Sequence, residues 1–294
     1  CPSGRREHTR GAPIAAAALA NQAISIDELA KQHNLNAKIL STWIDFLNIQ
    51  LGPGEPVEVQ HLLGKKNDSL TGLKYVKAWG DVTPNLLANS SHDKTATIPG
   101  TIPPRTVSVH PGPTRYSAAG WKSPISGRVR IAASVADAHG CGDGSAWAIT
   151  YQRGTGREIL TSGLINVSGR HEVPTIEDIP VYEGAVISLV VSPRDNSGCD
   201  QTNITLTIVE KAEKPRTWDL TADIVDDVLA SNPHADRLGN KEVWYFYWGE
   251  SSELAGYETP PPQGSVISLW RAAVNGENTK EATRLAEQVH TLLN

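Results

Sequence analysis

From residue 97 to residue 210 apolar and polar positions alternate in short runs, broken by clusters of Gly, Pro, Asn and Asp. Val107-Ser-Val-His110, Val129-Arg-Ile-Ala-Ala-Ser-Val135 and Asn203-Ile-Thr-Leu-Thr-Ile-Val209 all keep a period of two, which sends successive side chains to opposite faces of a strand. Ala185 to Val191 is almost continuously apolar, as in a central strand covered on both sides. Tyr116–Trp121, Ala146–Tyr151 and Ile159–Ile165 supply further runs. Ser123-Pro-Ile-Ser-Gly127 reads as a turn, and Arg153-Gly-Thr-Gly156 as a hairpin turn. The total is about seven or eight short strands with turn signals at roughly ten-residue spacing, the signature of a sandwich or jelly roll. No helical periods separate them, which argues against a parallel α/β sheet. Trp218–Asp223 adds an edge. Val243-Trp-Tyr-Phe-Tyr-Trp248, aromatic on both faces, predicts a strand covered on both sides. The fold class expected is mainly β: an antiparallel β-sandwich or jelly roll over residues 97–250.

The flanks have a different period. Pro13 suits a first helical turn, Ile14–Gln22 is rich in helix formers, and Ser25-Ile-Asp-Glu28 fits a capping box. Ile39, Leu40, Trp43, Ile44, Phe46 and Leu47 recur at helical spacing. Residues 1–55 are therefore expected to be a helical segment. Gly52-Pro-Gly-Glu-Pro56 ends it. Residues 56–96 are expected to form a linker with a short helix over 57–80, ending near Trp79-Gly80. Residues 251–294 are expected to form a Pro-rich linker, Tyr257–Pro262, and a C-terminal helical region over 268–293, broken near Asn275-Gly276.

Composition narrows the function classes. The 25 Gly and 19 Pro suit a turn-rich β protein. A net charge of −5, with no dense basic stretch, argues against nucleic acid as a partner. No apolar run approaches the ~18 residues of a membrane span. The chain opens on Cys1 rather than Met, as a processed form or fragment would, and Cys1 fits either a lipidated terminus or a boundary. Cys141 and Cys199 lie in two similar loops, His139-Gly-Cys-Gly-Asp-Gly144 and Asp195-Asn-Ser-Gly-Cys-Asp200. They are expected to form a disulfide at one end of the sandwich, with free thiols as the other reading. Such a closure contributes roughly 3–4 kcal/mol in the chain-entropy model. It implies an oxidising compartment, hence an exported protein: periplasmic, cell-surface or extracellular.

Three passages resemble a known kind of module. Val109-His-Pro-Gly-Pro113 with Trp121-Lys-Ser-Pro-Ile-Ser-Gly127 is similar to the opening of a β-sandwich module of large exported planctomycete proteins. Val181-Tyr-Glu-Gly-Ala-Val-Ile-Ser-Leu-Val-Val191, with Asp195–Asp200 and Thr202–Ile208, resembles a passage of carbohydrate-binding jelly rolls. This chain has Ala185 where that passage has Asp. Trp218–Asp223, Asn232-Pro and Val243-Trp-Tyr-Phe resemble its closing segment. Trp43-Ile-Asp-Phe-Leu47 and Leu269-Trp-Arg-Ala272 look like regions of planctomycete proteins that also carry cytochrome-c-type domains. The resemblance implies a non-catalytic module within a multidomain exported parent, and other domains of that parent as partners of the helical flanks.

A glycan is the expected ligand, because aromatics with a polar handle outnumber Phe: 8 Trp and 7 Tyr against 2 Phe. Trp147 and Tyr151 share a strand face beside one cysteine loop. That face is open to two readings, core packing or a sugar platform. Asp143, Arg194, Asp195, Asn196 and Asp200 complete the candidate patch. Trp244 and Trp248 form a second candidate surface. A structural calcium, or no cofactor, is expected, with Asp137, Asp143, Asp195 and Asp200 as the oxygen ligands. No catalytic residues are assigned. The alternative function is a structural or interaction scaffold supporting a separate redox domain of the cytochrome type.

Overall fold

The computed structural model describes residues 26–33, 36–38, 56–256 except 71 and 155, 264–275 and several positions from 278 to 288. The chain divides into two units. One comprises Pro56–Arg153 and Arg157–Tyr257, and the other comprises Cys1–Glu55, Gly154–Gly156 and Glu258–Asn294.

The strands of the first unit begin with β1 (Lys66–Asn67), β2 (Val76–Gly80), β3 (Asn85–Asn89), β4 (Ala96–Thr97), β5 (Thr101–Ile102) and β6 (Thr106–His110). Then come β7 (Arg115–Lys122), β8 (Gly127–Asp137), β9 (Ser145–Arg153), β10 (Gly156–Ile165) and β11 (Arg170–Val181). The last are β12 (Val186–Pro193), β13 (Thr202–Glu210), β14 (Thr217–Asp219) and β15 (Trp244–Glu250). They form an eight-stranded sheet in the order β1-β2-β3-β6-β13-β8-β11, with β14 also paired to β13. A five-stranded sheet runs β10-β9-β12-β7-β15. The pairings β13 to β8 and β12 to β9 are antiparallel and in regular register. The expected mainly β, antiparallel fold is what the chain adopts.

The two sheets bury their facing sides in one core. The eight-stranded sheet contributes Val107, Val109, Val129, Ile131, Ala133, Val135, Ile204, Leu206 and Ile208. The five-stranded sheet contributes Ala119, Trp121, Trp147, Ile149, Tyr151, Ile187, Leu189, Val191, Trp244 and Phe246. Each fully buried aliphatic or aromatic side chain of this kind contributes about 1.5–3 kcal/mol relative to exposure. The strand β15 is covered on both faces, as its sequence implied. Trp244 and Phe246 enter the core, while Tyr245 and Tyr247 pack with Tyr116, Ala118 and Val190 on the other side. Leu62 and Val59 close over that second cluster, and Leu63 N–H donates to the Phe246 carbonyl (2.9 Å).

Residues 56–96 do not form the expected linker with a short helix. Residues 76–80 and 85–89 are strands of the large sheet, and Leu86, Leu87 and Ala88 are buried. The apolar run Val76–Trp79 is too short for its period to separate helix from strand, and pairing with β6 through β3 decides it. Trp79 is buried, and its indole N–H donates to the Val228 carbonyl (2.6 Å).

The described residues include the α-helices α1 (Ile26–His33), α2 (Leu220–Ile224) and α3 (Val266–Asn275), and a 3-10 helix over Ser251–Gly256. α2 is capped by Asp219, which accepts from Ala222 N–H (2.8 Å). α3 covers part of the region expected to be helical at the C-terminal end of the chain. Pro13, the Ser25 cap, Trp43 and the Tyr257–Pro262 linker lie outside the described residues.

Candidate functional site

Strand register brings the two cysteine loops to one end of the sandwich. Thr202 at the start of β13 pairs with Asp137 at the end of β8, and Pro193 at the end of β12 pairs with Ser145 at the start of β9. The loops between these strands carry Cys141 and Cys199, which are disulfide-bonded with Cα atoms 5.8 Å apart. Gly142 permits the approach. It has φ +84°, and a Cβ there would sit 2.4 Å from the Gly198 carbonyl oxygen.

A third turn, Asn166–Gly169, completes the rim, and sequence reasoning missed it. Ser168 N–H donates to Asp137 Oδ2 (2.6 Å), and Asp137 N–H donates to the Gly169 carbonyl (2.9 Å). The turn opens β11, and its Asn-Val-Ser-Gly composition is the signal that could have located it.

Asp143 organises the exposed part of the rim. Its Oδ2 accepts from Asp195 N–H (2.9 Å), its Oδ1 from Asn196 Nδ2 (3.0 Å), and its carbonyl from Arg194 Nη1 (2.6 Å). Arg194, Asp195 and Asn196 are exposed. One aspartate thus holds three polar residues from the opposite loop. Val167, also exposed, and His171 belong to the third turn and the start of β11.

Trp147 and Tyr151 are not part of that surface. They do share a face, but it is the core face: Trp147 is 4 % exposed and Tyr151 2 %. The indole lies against Gly163, where a Cβ would come within 2.8 Å of the ring. Its outer side is covered by His171, stacked with centroids 5.1 Å apart. No protein group accepts from Trp147 Nε1 or pairs with the Tyr151 hydroxyl, and burial pushes the Tyr151 phenol well above its usual range. The platform reading of this face is therefore corrected to core packing.

The second expected surface is also corrected. Trp244 is fully buried, and its Nε1 donates to Asp223 Oδ2 (2.8 Å). Trp248 is half-buried, stacked on His61 (4.6 Å) with the Arg115 guanidinium 4.2 Å from its ring centroid. Arg115 in turn pairs with Glu250 (3.0 Å). The two Trp share a strand face, but it dives into the core before it can present both rings.

Asp200 is the unusual acid of the rim. It has no exposed surface, and neither carboxylate oxygen meets a protein donor. Burial, reinforced by the nearby Asp143 and Asp137 charges, pushes its carboxyl up to about 7. Arg194 offsets only part of this. Among the described residues, the one group of three metal-type side chains within reach of a single ion is His139, Cys141 and Cys199. Its two sulfurs are joined as a disulfide, so they offer no thiolate. Asp137, Asp143, Asp195 and Asp200 do not converge as a group of three or four.

No protein-family model matches the chain, and no curated protein matches it. Among solved structures it is similar to TmCBM61, determined in complex with beta-1,4-galactotriose. The identity is 18%, the match covers 36% of this chain and 70% of that one, and the TM-score is 0.26. A likeness of that size assigns no ligand.

Proposed function

We propose that the chain is a non-catalytic carbohydrate-binding module of a larger exported protein, and that it takes a glycan at the disulfide rim. The observation that carries this reading is the brace at Asp143, which holds Arg194, Asp195 and Asn196 together on an exposed, covalently clamped edge. Sugars present vicinal hydroxyls that both donate and accept. A guanidinium supplies donors in a fixed fork, a carboxamide supplies both roles, and a carboxylate accepts. Fixing these groups before the ligand arrives lowers the entropy lost on binding. Val167 and the His171 ring, backed by Trp147, add apolar surface at the third turn of the same rim, suited to the C–H faces of a sugar.

The disulfide fits an oxidising compartment, and no described helix is long and apolar enough to cross a membrane. The parent, on this reading, is an exported multidomain protein of the planctomycete kind with cytochrome-c-type domains, reached through the helical flanks. A glycan array probed with the chain tests the reading. Wild type should bind a defined set of glycans. Arg194→Ala and Asn196→Ala should each weaken binding about tenfold or more, as expected for losing ~1.4 kcal/mol of hydrogen bonding, with the melting temperature unchanged. A wild-type chain that binds no glycan, or variants that bind as well as wild type, would remove the basis of the proposal.

A further inference from the structure

Three carboxylates are buried among the described residues: Asp200, Asp223 and Asp236. Asp223 accepts from Trp244 Nε1, and Asp236 accepts from Trp218 Nε1, Leu238 N–H, Asn240 N–H and Asn240 Nδ2. Asp200 alone has no donor at either oxygen. An ionised carboxylate withdrawn from water without a partner costs several kcal/mol, so a fold keeps one either protonated or beside a counter-charge.

The position of Asp200 narrows what that counter-charge is. It lies just ahead of β13, whose Thr202 pairs with Asp137, and Ile204 two residues further lies in the core between the sheets. Strand alternation therefore points Asp200 into the mouth of the sandwich, where Asp143 and Asp137 stand near enough to repel its charge. Arg194, a cation that acts on Asp200, turns its guanidinium to the Asp143 carbonyl instead. Ser145 and Thr202 bring hydroxyl oxygens to the same mouth, 3.3 Å from each other. The groups from Asp200, Asp143, Ser145 and Thr202 are hard oxygens, and the neighbouring sulfurs are oxidised.

We propose that this mouth binds a calcium ion, with Asp200 as its inner carboxylate and Asp143 as the second, the remaining positions being filled by loop oxygens and water. Calcium accepts such mixed oxygen shells, including backbone carbonyls. Two carboxylates rather than a full cage place the expected dissociation constant at about 10⁻⁴–10⁻³ M, the range of extracellular modules. Binding would tie the ends of β8, β12 and β13 together from inside the rim, as the disulfide does from outside.

The inference stands on the buried carboxylate and not on the glycan reading, and its test uses no sugar. The full chain is melted in EDTA and in calcium chloride raised to about ten times the expected dissociation constant, with magnesium chloride as a control. Wild type should gain several degrees, saturably, and more with calcium than with magnesium. Asp200→Asn, close in shape, should melt in EDTA no lower than wild type and show no calcium shift. Asp143→Asn should move the half-saturating calcium concentration upward. A wild-type melting temperature indifferent to calcium, or an Asp200→Asn variant that still responds, would overturn the proposal. Equal gains with calcium and magnesium would overturn the assignment to calcium.

Discussion

Two regions of the sandwich bury an indole and a carboxylate, and they treat them oppositely. Around α2 and β15, Trp244 donates to Asp223 and Trp218 donates to Asp236, each at 2.8 Å. Arg237 stands 3.5 Å from the remaining Asp223 oxygen. At the disulfide rim, Trp147 Nε1 and both oxygens of Asp200 have no protein partner. In the first region each of these indoles meets a carboxylate inside the core, although Asp223 Oδ1 itself accepts no hydrogen bond. The second leaves buried polar atoms unanswered beside three exposed polar residues. That contrast, more than the number of aromatics, is what the proposed binding rim rests on.

The largest effect tests whether Trp147 belongs to the fold. Its ring packs on Gly163 and under His171 and is almost wholly buried. Trp147→Ala should therefore cost about 3–5 kcal/mol of stability, as large-to-small core changes do. Urea denaturation would show the loss as a lower midpoint. A variant as stable as wild type would return Trp147 to the surface and reopen the platform reading.

A gentler change separates the two regions. Trp244→Phe removes one donor and leaves Asp223 buried beside Arg237 alone, so it should cost about 1–3 kcal/mol. Trp147→Phe removes an N–H that no protein group answers, and its cost should be smaller than that of Trp244→Phe. If the two substitutions cost the same, measured by the same denaturation, hydrogen bonding does not distinguish the regions.

The period-two runs of β6, β8 and β13, the continuous apolar run of β12, and the turns Ser123–Gly127 and Arg153–Gly156 were legible because apolar patterning and glycine both report local geometry. The disulfide was legible because the two loops look alike. β11 was not legible: Arg170–Val181 carries Pro174, Pro180 and several acids, and its register against β8 shifts twice. An edge strand tolerates proline because one side of it needs no ladder hydrogen bonds. Missing β11 also hid the third turn of the rim. The Trp147 face failed for another reason. A period of two says which residues share a face, not which face is inward. The small Ala146 and Ala148 alternating with Trp147, Ile149 and Tyr151 carried that information, since the bulkier set fills the core. Asp200 was singled out as a ligand from its loop, but its full burial comes from strand pairings distant in sequence.

The smallest effect comes from an acid in a third setting. Asp178 is exposed, and Arg128 Nε (2.8 Å) and Lys211 Nζ (2.9 Å) both donate to its Oδ1. These cations hold its carboxyl well below the usual range, at about 2. A depressed carboxyl contributes stability that is present above its unfolded value, about 4, and is lost as the pH falls through about 2. Solvent screens the pair, so Asp178→Asn should cost no more than about 1 kcal/mol near neutral pH. Asn also suits the backbone, because residue 178 has φ +64°. The gap between wild type and variant should close between about pH 4 and about pH 2 and shrink in high salt near neutral pH. A gap that ignores both would mean Asp178 acts through packing, and that environment does not grade the acids of this sandwich as the rim and the α2 region imply.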